Sequence, residues 1–527
     1  MATTAPRKAG TREWTGLVVL ALPTLILAMD NSVLFLALPH LAEDLEPSST
    51  QMLWIMDIYS FLVAGFLITM GALGDRIGRR RLLMIGAFVF GVASVLAAYS
   101  TSAEMLIVTR ALLGIAGATL MPSTLSLIRN MFPDPEQRTA AIGVWMGCFI
   151  IGVVLGPIVG GSLLEFFWWG SAFLVAVPVM LILLVLGRPL LPEYRNPEAG
   201  RLDVPSVALS LAAVLPVIYA LKEIAKDGFA WIPALCVVAG LASGALFVRR
   251  QGRIADPLID LGLFKSRAFS SSLLVMTLSM CVMGGTYYFF TQYLQLVDGL
   301  SALRTGLWLL PVAAVMMLGA GVVPQLARTV RPGRLAGAGL LLSSVGLVVL
   351  AQVETDSSRV LPVTAFLIVM AGLTPMMILG TDMIVGIAPP EKSGSASALS
   401  ETGGEFGIAL GLAALGTSGN LVYRDELNDT LPSATPPEAL DALRDTLAGA
   451  LAVAEELPGP LGGEVANAAR AAFVSGMQVS ALIGAAVVAL SGVLALALLR
   501  RVPLVAELGG DATAPDADTR QDDPAGL

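Results

Sequence analysis

Five carboxylates stand inside long apolar runs of this chain: Asp30, Asp57, Asp382, Glu401 and Glu405. In "LAMDNSVLFLALP", Leu27 to Pro39, almost every neighbour of Asp30 is apolar. A charge at the centre of a bilayer costs roughly 2.5–3.5 kcal/mol on insertion scales, so an ionisable residue there is a functional candidate by default. Glu401 and Glu405, in "SETGGEFGIALG", are four residues apart and share one helix face. As neighbouring buried acids they are expected to titrate as a coupled pair. Arg110 is the one evident cation within a run, and it needs either an acid and carbonyls around it or a route to the interface. A carboxyl that is neutral in a dry site and ionises when a cation arrives makes proton and organic cation competitors for one position. That competition is the physical basis of antiport. Plainer roles stay open: Asp30 as an acceptor for a broken helix or for Arg110, Asp57 solvated at an interface, Asp382 and Glu401 at a mouth.

The elements that must position these groups are membrane helices. The 527 residues are 56% hydrophobic and 14% charged, against about 25% charged in soluble domains. Apolar stretches of bilayer-spanning length fall at about 15–39, 50–72, 82–100, 105–128, 139–163, 168–187, 204–222, 230–249, 269–297, 304–327, 334–352, 359–386, 396–421 and 472–500, fourteen in all. Alternate loops carry the arginines, from Arg7 and Arg12 through Arg76, Arg79, Arg80 and Arg81 to Arg500 and Arg501. The intervening loops carry Glu43, Asp44, Glu46, Glu104 and Glu165. The positive-inside rule then places both termini in the cytoplasm of a multi-pass protein. Abundant Ala and Gly, with Arg far above Lys, suit a GC-rich bacterial source and hence the bacterial cytoplasmic membrane.

The net charge of −8 comes from a late loop, 424–470, and from the tail, so it implies neither a basic partner nor nucleic acid. "PPEALDALRDTLAGALAVAEEL" in that loop has helical periodicity and is expected to form a short hairpin. The tail from Gly509 has the composition of disorder. The three cysteines, Cys148, Cys236 and Cys281, lie in apolar segments and imply no disulfide framework. One histidine, His40, and no metal cluster, nucleotide loop or nucleophile triad leave enzymatic chemistry without support. They also leave an ion gradient, not a cofactor or ATP, as the energy source.

Three stretches are more specific. "GALGDRIGRRRLL" contains Gly71, Asp75, Arg76, Gly78 and Arg79 in a tight loop after the second span. "RALLGIAGA" sets Arg110 beside Gly114 and Gly117, which permit close helix contact. "GVVLGPIVGG" holds Gly156, Pro157, Gly160 and Gly161 in a bent, closely packed helix. These resemble motifs A, B and C of the major facilitator superfamily, the third characteristic of its drug/proton antiporters. "LAMDNSVLFLALP" and "LEPSSTQMLWIMDIYSFLVAGF" resemble the fourteen-helix drug:H+ antiporters of the QacA/SmvA/LfrA type.

The resemblance implies an all-α polytopic major facilitator fold, two six-helix bundles with two additional helices between them. The expected division is 1–190 for the first bundle, 191–260 for linker and extra pair, 261–505 for the second bundle with outer loop 424–470, and 506–527 for a disordered acidic tail. "VRPGR", Val330 to Arg334, is a faint second copy of "DRIGR", Asp75 to Arg79.

The resemblance further implies a monomeric, proton-coupled exporter of lipophilic mono- and dications such as quaternary ammonium compounds and dyes. A dedicated exporter of a host-made antibiotic or metabolite is the alternative. Asp30, Asp57, Glu401, Glu405 and Asp382 are the expected proton or cation sites. Bulky cations also want ring faces and adaptable methionine. Trp54, Tyr59, Trp145, Phe149, Tyr287, Tyr288, Trp308, Met376 and Phe406 are available for a cavity wall, with Trp54 and Tyr59 bracketing Asp57.

Overall fold

A computed structural model describes residues 8–195, 203–227, 231–254, 257, 261–388, 393–436, 439–458 and 460–500. The tail from Gly509 and the loop lysine Lys392 lie outside the described residues. Fourteen long helices account for most of the chain: α1 Thr11–Leu45, α2 Ser49–Ile77, α3 Arg79–Ala98, α4 Ala103–Met131, α5 Pro135–Phe166, α6 Ser171–Leu190, α7 Val204–Asp227, α8 Trp231–Gln251, α9 Arg267–Val297, α10 Ala302–Leu326, α11 Pro332–Leu350, α12 Val360–Ile387, α13 Ser393–Thr430 and α14 Pro460–Leu498. Thirteen are long and apolar enough to cross a membrane. α7 contributes a shorter apolar stretch, Val204–Val217. The end of the molecule where α1 begins and α14 finishes is here the terminal face; the other is the far face.

Two helices outrun their apolar cores. α13 continues to Thr430 rather than stopping near 421, and α14 begins at Pro460 rather than 472. The extra turns of α13 bury Tyr423 and Leu427 against two short helices, Leu440–Asp445 and Leu447–Glu456. The Tyr423 hydroxyl donates to the Leu443 carbonyl at 2.7 Å, so this far-face pair is tied to α13. The acidic segment is therefore a folded cap that also touches α1.

The pairing of helices repeats with an offset of eight. α1 packs on α5 and α9 on α13; α2 on α4 and α10 on α12; α3 on α4 and α11 on α12; α3 on α6 and α11 on α14. The loop before α3 and the one before α11 use one device. Arg80 donates to the carbonyl of Leu191 at 2.9 Å at the end of α6, and Arg331 donates to that of Arg500 at 2.8 Å after α14. Gly78, at the α2–α3 junction, has φ +109, where a Cβ is strained and would lie 2.5 Å from Glu193. Gly333 of the weaker copy instead sits within α11 against the Leu499 carbonyl.

α7 and α8 pack on each other. At their terminal-face base Asp203 receives two hydrogen bonds from Arg250, at 2.6 and 2.7 Å, and one from Ser206. The guanidinium holds the Asp203 carboxyl well below the usual carboxylate range. α7 lies across the seam between α2 and α13, with Leu215 packed on the cluster of Phe61, Ala409 and Ala413.

Close helix approach depends on specific glycines. A Cβ on Gly114 would lie 2.6 Å from the Tyr59 carbonyl oxygen, and one on Gly152 would lie 2.4 Å from that of Leu25. The same atom on Gly147 meets nothing within 4 Å. Gly114→Ala is therefore expected to lower stability by about 1–3 kcal/mol, and Gly147→Ala to leave it unchanged. Thermal unfolding of the two purified variants in one detergent checks the contrast.

Candidate functional site

Arg110 is fully buried and does not reach an interface. Its Nη1 meets Asp30 Oδ2 at 2.5 Å, and its Nε donates to the Ile55 carbonyl at 3.2 Å. The guanidinium lies 4.7 Å from the Tyr59 ring centre and 5.9 Å from that of Phe173. One side chain thus joins α1, α2, α4 and α6. The glycines of "RALLGIAGA" bring α4 close enough to α2 for this: Gly117 faces the Tyr59 ring, as Gly114 faces its backbone. Of the roles open for Asp30, the geometry of this state shows the acceptor for Arg110.

Between the two six-helix groups lies a cavity of about 320 Å³. Its charged lining, among the described residues, is Glu401 and Glu405 alone. The remainder is soft and apolar: Met121, Met276, Met280, Met283, Met316, Met370 and Met377, with Phe35, Tyr59, Phe149 and Tyr287. Glu405 Oε2 is buried and accepts no hydrogen bond among the described residues, and Ser60 of α2 stands close to the same carboxyl. Tyr59 lies within electrostatic reach of Asp30, Arg110 and Glu405, and so stands between the ion pair and the cavity acid.

On the far side the halves meet backbone to backbone. A Cβ on Gly306 of α10 would lie 2.3 Å from the Pro157 carbonyl of α5, and one on Gly161 of α5 would lie 2.6 Å from Leu303 Cα. Gln292 of α9 donates to the Phe35 carbonyl of α1 at 3.3 Å. "GVVLGPIVGG" is therefore the far-side closure between halves as well as the α1–α5 contact. The cavity lining extends instead toward the terminal face, through Leu67, Met121, Met276, Thr381 and Glu401.

The remaining expected residues divide. Tyr59 and Phe149 line the cavity. Asp57, 1% exposed, lines a separate small cavity between α1, α2 and α13 with Ser60. Asp57 and Tyr59 are two residues apart and face different ways, so the bracketing of Asp57 by Trp54 and Tyr59 is not one site. Trp54 and Phe406 pack at the α2–α7–α13 seam. Trp145 is buried in the first core, and Trp308 packs on the second.

Met376 is fully buried in helix packing, whereas Met377, about 100° round the helix, faces the cavity. Asp382 is exposed near the terminal end of α12 and does not line the cavity. Tyr288 lines a far-side pocket beside Gln292 and Tyr423 rather than the central one. In the α2–α3 loop, the Arg79 backbone N–H donates to the Tyr194 carbonyl and Arg79 itself is buried. The side chain of Asp75 lies outside the described residues; Gly71 has open space around its α-carbon and Arg76 is half-buried.

Sequence reasoning missed the methionine wall. Its signal was present in "MTLSMCVM", where Met276, Met280 and Met283 fall at helical spacing. It also missed Ser60, Glu193 and Tyr194, short-range polar partners that carry no pattern of their own.

Two pseudo-equivalent six-helix groups, closed on one side around a central cavity, define a membrane carrier. Residues 20–412 match the Major Facilitator Superfamily, and the chain belongs to that family of transporters and is not an enzyme. It is 46% identical over 486 residues to the multidrug efflux pump LfrA of Mycolicibacterium smegmatis, covering 92% of this chain and 96% of LfrA. It is 32% identical over 468 residues to the methyl viologen resistance protein SmvA of Salmonella typhimurium, covering 88% and 93%. Among solved structures it resembles a bacterial homologue of the lysosomal transporter Spinster in an inward-facing, unoccupied conformation. The TM-score is 0.64 at 17% identity, over 93% of this chain and 98% of that one, which shows the fold.

Breaking the buried ion pair from one side leaves a charge without its partner, at a cost of about 3–5 kcal/mol. Arg110→Gln is therefore expected to destabilise the protein more than the double variant Asp30→Asn/Arg110→Gln. Thermal unfolding in detergent, compared across wild type, single and double variants, reads the difference directly.

Proposed function

We propose that this chain is a multidrug efflux pump, a proton-coupled antiporter that carries lipophilic mono- and dications out of the cytoplasm. In this reading it lies in the bacterial cytoplasmic membrane, works as a monomer, and has both termini, and hence the terminal face, inside. The observation that carries the reading is Glu405: a carboxyl with an oxygen lacking any donor, set in a cavity whose walls are methionine and aromatic rings. Glu401 lines the same cavity one turn away.

The physics follows from that lining. A cavity with two acids and no lining base attracts a cation, and ring faces at Tyr59, Tyr287, Phe35 and Phe149 add about 0.5–2 kcal/mol where they meet one. Methionine walls repack around different shapes, which suits a broad substrate range. Protonation of the same carboxyls removes the attraction, so proton and drug exclude each other. In the proposed cycle the inward state loads drug at Glu405 and Glu401, the carrier reorients, and protons from outside displace the drug. Asp30 couples this to helix movement: a proton on Asp30 weakens its hold on Arg110 and loosens α1 from α4. The kinship with LfrA and SmvA supports the substrate class, and methyl viologen is itself a dication.

Ethidium efflux from energised cells tests the reading. Wild-type efflux is expected to collapse with a protonophore, and Glu405→Gln is expected to abolish it at normal protein levels. Protonophore-insensitive pumping, or Glu405→Gln pumping like wild type, would overturn it.

A further inference from the structure

Ser60 occupies a position that neither the cavity lining nor the motifs single out. It lies one helical turn past Asp57 on α2, and both residues line a small cavity of about 20 Å³ with Leu34, Phe35, Met56 and Leu412. That volume admits one water molecule. Ser60 is 4% exposed and, on its other side, stands close to the Glu405 carboxyl of α13. Glu405 in turn lines the central cavity. The Ser60 hydroxyl therefore stands between two cavities that share the walls of Phe35 and Ile408, with an acid lining each. Asp57 is the acid nearer the far face, because α2 runs from the far face toward the terminal face.

We propose that the Ser60 hydroxyl is the proton relay between Asp57 and Glu405, through one water held in the small cavity. The transfer balances as a chain of hops. The Asp57 carboxylic acid gives its proton to the water, and the water gives one to Ser60 Oγ. Ser60 passes its own hydroxyl proton to the Glu405 carboxylate. Asp57 ends ionised, Glu405 ends protonated, and water and serine are unchanged. A hydroxyl can do this because it donates and accepts at one atom. The direction, from the far face to the central cavity, opposes that of the exported cation, as coupling requires.

Among the described residues, charged and titratable groups stand around this line on α1, α4, α9 and α13. Asp30 of α1 and Arg110 of α4 reach it through Tyr59. Tyr288 of α9 stands near Asp57. Glu401, with Arg129 of α4 in electrostatic reach, lies one turn along α13 from Glu405. α7 presents Leu211 and Leu215 to this part of α2. Among the described residues, Ser60 carries the hydroxyl that lines the small cavity.

The inference rests on the proton-coupled reading above, and its test separates the two. Full-length wild type, Ser60→Ala and Ser60→Thr are reconstituted in liposomes, and ethidium transport is followed in two modes. One is driven by a pH gradient; the other is exchange of ethidium for ethidium with no gradient, which needs no net proton movement. Ser60→Ala is expected to slow gradient-driven transport at least about tenfold while exchange proceeds, and Ser60→Thr, which keeps the hydroxyl, is expected to restore it. Gradient-driven transport by Ser60→Ala at the wild-type rate overturns the relay alone. Equal loss of both modes also overturns it, since that marks a packing role. Wild-type transport indifferent to the pH gradient overturns the proton-coupled reading itself, and the relay with it.

Discussion

A guanidinium in the interior of a bilayer has to be matched by charge and by acceptors, and the first six-helix group is arranged around that requirement. Arg110 finds its counter-charge on α1, a carbonyl on α2 and ring faces on α2 and α6. Those contacts exist only if α4 can lie against α2 with almost nothing between the backbones, which is why glycine recurs where the arginine is. The pair is a poor source of net stability, since desolvation of two ions offsets much of their attraction. What it provides is a link that responds to charge. In the proposed cycle this link is where a single proton would have a mechanical consequence.

The second group supplies the complementary half of the chemistry. Its α13 carries two acids one turn apart, and its α9 and α12 supply most of the methionines that surround them. In the proposed function, negative charge in a deformable apolar wall is what would recognise lipophilic cations as a class without fitting any one of them. The closure opposite this cavity is made largely by backbone contacts at Gly161, Gly306 and Pro157, joined by one side-chain hydrogen bond from Gln292 to the Phe35 carbonyl. Such a contact parts as a rigid surface, in keeping with two halves that rock about a central site.

The fold was legible because membrane helices announce themselves by length and composition, and because arginine alternates between loops. The acids were legible for the same reason: a carboxylate in an apolar run is conspicuous. Which way each side chain points was not. Met376 and Met377 are adjacent and equally apolar, and only the packing of α12 decides which faces the cavity. Trp145, Trp308, Trp54 and Phe406 went to helix packing because a large ring is as useful between helices as against a ligand. Asp382 reads like the other acids in sequence, yet α12 leaves it exposed near its end and off the lining of the central cavity. Ser60 was invisible, since a serine in a membrane helix carries no signal until the partner across the seam is known.

The central claim is that proton and drug compete for the carboxyls of one cavity. Its most direct measurement is proton release on binding: detergent-solubilised protein in a weakly buffered solution with a pH indicator, mixed with ethidium or another quaternary cation. The account predicts protons released in proportion to drug bound, with affinity falling as the solution is acidified, and neither effect in Glu405→Gln. Drug binding with no proton release and an affinity independent of pH would contradict it.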